Sequence, residues 1–151
     1  MPQVVYTDSK GLVQSAGSGF SITTEGSVSI SSSLPPVLGS GIALTLQSVA
    51  AAGSDQATAT AISATAGALV KATASDGTKG IKLPALTACS VGQQFIIYNS
   101  VSAQNLLVYP ATNDAFNATD NTGVTISGLT SLVCIKIDDT TWLAVEPAKA
   151  A

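Results

Sequence analysis

Residues 131–146 read SLVCIKIDDTTWLAVE, and their reading decides the fold. Two apolar runs, 132–137 and 142–145, flank Asp138-Asp139-Thr140-Thr141. β-Branched residues fill both arms and suit a pleated, half-buried surface, while Asp and Thr supply the local hydrogen bonds of a turn. The stretch predicts a β-hairpin. It also carries Trp142, the only tryptophan of the chain. Strand alternation puts Val133, Ile135 and Ile137 on one face and Leu132, Cys134 and Lys136 on the other. Lys136 reads as the mark of solvent near the turn. With neither face polar throughout, one is expected to pack a core and the other to meet a neighbouring subunit.

Working outward, the chain repeats short β signals. Residues 124–126 form a short strand after a long Asn/Asp/Thr loop, 111–122. LLVY at 106–109 is a strand stopped by Pro110, and FIIYN at 95–99 is apolar on both faces, as a central strand is. GIKL at 80–83 precedes Pro84, and a turn at 75–78 separates it from a strand at 68–73. ATATAIS at 57–63 reads as strand, because its β-branched alternation outweighs the helix preference of alanine. IALTLQ at 42–47 reads as strand too, followed by an alanine-rich 48–54 with a short helical turn. Strands every eight to twelve residues or so, with turns between them, predict an all-β fold. The expected architecture is a small β-sandwich or barrel of short antiparallel strands.

SSLPPVLGSG at 32–41 marks a boundary, since Pro35-Pro36 extends the chain and Gly39 and Gly41 loosen it. The expected organisation is an extended arm and linker over 1–41, a β-domain over 42–147 and a tail over 148–151. The arm has too few large side chains to order itself against backbone entropy. It is therefore expected to dock on something else, and Val4, Tyr6, Phe20 and Ile22 are the candidate contacts.

Composition narrows the function. Of 151 residues, 46% are hydrophobic and 10% charged, against roughly 25% charged in a typical soluble domain. A chain so rich in small, uncharged residues suits sheets whose outer faces are covered by other subunits. All six basic residues are lysines, histidine is absent, and the net charge is −3. That balance argues against nucleic-acid binding, which rests on clustered Lys and Arg, and removes the commonest general base. The two cysteines make no framework; Cys134 reads as a small buried hydrophobe and Cys89 lies near a turn, their pairing left open. MPQVVYTDSKG has neither the basic nor the apolar region of a signal peptide, and no apolar run approaches the roughly 20 residues of a membrane helix.

No catalytic constellation emerges. Most of the nine acidic residues fall in expected turns. Asn113, Asp114, Asn117, Asp120 and Asn121 make an oxygen-rich loop that calcium would accept, although the spacing is not that of an EF-hand. Tyr98, Tyr109 and Trp142 are either core anchors or a platform for sugar. The expectation is a protein without enzymatic activity, metal or cofactor.

A strand followed by Leu83-Pro84-Ala85, Gly92-Gln93 opening 95–99, and Leu106-Leu107-Val108-Tyr109-Pro110-Ala111 precede a polar loop and the terminal hairpin with Asp138–Thr141 before Trp142. From about residue 57 to 146 this pattern resembles a domain of bacteriophage virion proteins, the capsid decoration (cement) and head-fibre proteins. The resemblance implies a homotrimer on the outer surface of a phage head, assembled in the host cytoplasm, with the major capsid protein as partner and neither nucleic acid nor membrane. Within that reading, Leu132, Cys134 and Trp142 are the expected trimer interface. The alternative is a tail-fibre or receptor-binding module that grips host surface glycans through Tyr98, Tyr109 or the 113–121 loop.

Overall fold

Alternating β-branched and small residues form strands throughout, and the only helical piece among the described residues is a single 3-10 turn. The computed structural model describes residues 4–7, 11–14 and 44–146. The chain divides into two units, Met1–Gly41 and Ile42–Ala151. In the first, β1 (Val4–Thr7) pairs antiparallel with β2 (Gly11–Gln14), Val4 opposite Gln14 and Thr7 opposite Gly11. Val4 and Tyr6 thus lie on a strand, whereas Phe20 and Ile22 lie outside the described residues.

The second unit contains β3 (Leu46–Ala51), β4 (Thr60–Ala61), β5 (Leu69–Ala74), β6 (Gly80–Lys82), the 3-10 turn Leu86–Ala88, β7 (Gln94–Asn99), β8 (Leu106–Tyr109), β9 (Ala115–Phe116), β10 (Thr119–Asp120), β11 (Val124–Ile126), β12 (Ser131–Lys136) and β13 (Thr141–Val145). They form a seven-stranded sheet, β10-β9-β13-β12-β7-β5-β3, and a four-stranded sheet, β11-β8-β6-β4. From β3 to β8 the chain changes sheet at every strand, and each strand pairs in parallel with the one a coil later. Leu46 lies beside Leu69 and Leu69 beside Ile96; Thr60 lies beside Ile81, and Gly80 beside Leu107. The result is a solenoid-like stack of three coils. Antiparallel β12 then adds to β7, and β13 to β12, while β11 adds to β8.

The strands are all-β as the sequence predicts, but their pairing corrects the expected antiparallel sandwich or barrel. Periodicity reveals which residues alternate, not which strand lies alongside. Parallel neighbours need a crossover of a dozen residues or more; here a strand of the opposite sheet supplies it. Boundaries shift for the same reason. The strand expected at 42–47 lies at Leu46–Ala51, because pairing with β5 along its whole length overrides alanine's helix preference. Only Thr60–Ala61 of the 57–63 run is strand, and the loop expected at 111–122 contains the small β9–β10 pair.

The core lies between the two sheets. The large sheet contributes Val70, Ala72, Phe95, Ile97, Leu132, Cys134 and Trp142; the small one contributes Ile81, Leu106, Val108 and Ile126. Leu83 and Leu86 close it from the segment between β6 and β7. Phe95 and Trp142 meet edge to face, with ring centroids 5.8 Å apart at 63°. Trp142 Nε1 is the one buried side-chain nitrogen or oxygen among the described residues without a hydrogen-bond partner.

Adjacent residues of β7 test this facing. Ile97 is fully buried and Ile96 only partly so. Ile97→Ala is expected to lower stability by about 2–5 kcal/mol through the cavity it leaves. Ile96→Ala should stay below about 1.5 kcal/mol, near the range of surface changes. Urea unfolding of the two variants checks the difference.

Candidate interaction surface

Most polar side chains that could do chemistry are engaged within the fold. Asp55, Asp76 and Asp138 each accept the amide of a threonine two or three residues on, at 2.8, 2.9 and 2.8 Å, together with its hydroxyl. For Asp55 and Asp76 the threonine hydroxyl, then the amide, holds the carboxyl below its ordinary value. For Asp138 the Thr140 amide leads and the hydroxyl follows. These are turn carboxylates, in the role the sequence assigns to them.

Left-handed backbone and short hydrogen bonds organise the oxygen-rich loop. Asn113, Asn117 and Asn121 have φ of 70°, 55° and 53°, the left-handed region that Asn tolerates best among residues with a side chain. Asn121 Oδ1 accepts the Asn113 amide at 2.8 Å, and Asn117 Oδ1 accepts the Ala144 amide at 3.1 Å. Asp114 turns inward, where its Oδ2 accepts the Leu86 amide at 3.0 Å. Burial pushes the Asp114 carboxyl above its ordinary value, against the opposing pull of that bond and of Lys136. Among the described residues no group of three or more His, Cys, Asp or Glu side chains is placed to hold a metal ion.

Lys136 corrects the reading of the terminal hairpin. It does not mark solvent: its side chain is 4% exposed. Its Nζ donates to Leu86 O at 2.8 Å, to Cys89 O at 3.0 Å and to Asp139 Oδ1 at 2.9 Å. A lysine has three donors, and all three are used, which is what makes burying the ammonium tolerable. Together Asp114 and Lys136 clamp the 3-10 turn, one on its first amide and the other on its carbonyls.

The inward face of β12 is therefore Leu132, Cys134 and Lys136, and the outward face is Val133 and Ile135. Leu132, Cys134 and Trp142, the expected trimer interface, are all 0% exposed within the single chain. These three residues belong to the core of the single chain and leave no surface for a neighbouring subunit, which corrects that assignment. Both cysteines are free, and burial pushes the Cys134 thiol up to about 12. The aromatic platform also dissolves. Trp142 is core, Tyr98 stands on the outer side of the seven-stranded sheet, and Tyr109 belongs to the four-stranded sheet. There the Tyr109 ring covers Gly80 and Gly123, where an added Cβ would come within 2.8 and 2.7 Å of it.

What the structure does bring together is a row that sequence reading missed. On the outer side of the large sheet, Leu46, Leu69, Ile96, Val133 and Val145 are successive cross-strand partners over β3, β5, β7, β12 and β13. Strand spacing makes this apolar row about 19 Å long. Leu46 is 52% and Val145 45% exposed, far above the core residues. Ile135 and Leu143 extend it on one side, beside Gln94. On the other side the partners are Ser48, Lys71, Tyr98 and Ser131. Leu69 is the lone apolar residue of its strand's outer face, and Val133 and Val145 are the smaller of two on theirs, so these strands do not announce the row; only the coil-to-coil register does. This contiguous outward apolar row is the candidate interaction surface.

No family model matches the chain, and no curated protein or solved structure does either.

Two outcomes follow from the polar network. Lys136→Ala takes the charged donor from the Cys89 and Leu86 carbonyls, the latter keeping the Cys89 amide, and should cost about 1.5–3 kcal/mol, whereas Asp139→Asn, at an 88% exposed partner, should cost under about 1 kcal/mol. Chemical denaturation separates them. The three turn carboxylates titrate lower in the folded chain, so their stabilisation is present above about pH 4 and is lost as pH falls through the folded values. Asp114 is raised and works in the opposite direction, its contribution fading as pH rises. Asp138→Asn keeps the acceptor and removes one titration, so the fall in urea midpoint between about pH 5 and about pH 3 should be shallower than in the parent.

Proposed function

We propose that the chain is a structural virion protein, a trimeric capsid decoration protein of the cement or head-fibre kind, seated on the outer surface of a phage head. The observation that carries this reading is the outward apolar row on a sheet whose polar groups are otherwise engaged in turns and clamps. Such a surface offers contact area rather than chemistry. A decoration protein works by that means: it buries apolar and backbone surface across neighbouring capsid subunits, and three linked copies turn weak contacts into firm attachment. The resemblance over residues 57–146 supports the same reading, as does the low charge of the chain. In this reading the major capsid protein is the partner, residues 1–41 form the attaching arm through Val4, Tyr6, Phe20 and Ile22, and the β-domain projects.

The glycan-binding alternative loses its main support, because Tyr98 and Tyr109 stand on different sheets and the 113–121 asparagines are occupied as turn residues.

The test is binding to purified phage heads that lack the chain. The intact chain should co-sediment with them and raise the temperature at which they release their contents. A chain starting at residue 42 should keep its β-domain circular dichroism and lose co-sedimentation. Full binding by that truncated chain would reverse the polarity, and no binding by the intact chain would remove the reading.

A further inference from the structure

We draw no further inference here: the strongest candidate, the side-chain cluster in which Asp114 and Lys136 clasp the 3-10 turn between β6 and β7 beside the partly buried Cys89, would act as a switch only through the direction in which one carboxyl titrates, which by itself carries no role.

Discussion

The parallel register from β3 to β5 to β7 is the constraint on which the rest of this structure depends. A strand shows alternate side chains to opposite faces, so a shift of one residue would exchange core and surface along its whole length. Here the register places Val70 and Ala72 behind Ile97 and Asn99, and it places Leu69 beside Ile96 on the outside. The same pairing that builds the core therefore lines up the outward row. Neither could move without the other.

A second device fixes where the parallel stack ends and the antiparallel part begins. The segment between β6 and β7 crosses the core opening as a 3-10 turn, and it is held from two sides by side chains far away in sequence. Asp114 takes its first amide and Lys136 its carbonyls. A hydrogen bond to a charged group contributes about 1.5–3 kcal/mol, roughly twice a neutral one. Buried charges are costly alone, and Lys136 offsets part of the burial penalty on Asp114. Asn99 does comparable work at the end of β7, where its fully buried amide donates to Gln104 O and Ser127 O and its Oδ1 accepts the Val101 amide.

How much of this could be read beforehand depended on the distance between cause and effect along the chain. The terminal hairpin, the strands at 95–99 and 106–109 and the Asp-Thr turns rest on neighbours, and the sequence shows neighbours. The facing of β12 did not follow, because Val133, Ile135 and Ile137 look as fit for a core as Leu132 and Cys134 do. What decides between them is Lys136, whose burial depends on Leu86 and Cys89, some fifty residues earlier. The outward row is farther still from local reading. Leu46 and Val145 join one row only through three intervening strands, β5, β7 and β12. Leu132, Cys134 and Trp142, expected at a subunit contact, lie on the core side of their strands.

The ends of the stack follow a related logic. Both sheets begin at the first coil, with β3 and β4 as edge strands among the described residues. An edge presents unpaired backbone groups that invite another strand. In β4 the edge is only two residues long. In and beside β3, side chains take over part of the ladder: Thr60 Oγ1 donates to Ala50 O at 2.9 Å, and Gln47 Nε2 donates to Gly67 O at 2.7 Å. Gln47 Oε1 in turn accepts the Ser63 amide. The polar residues of the first coil thus tie it to itself and leave less of its edge to offer. That leaves the apolar row on the outer face, rather than the strand edge, as the part of the large sheet with most surface still to bury.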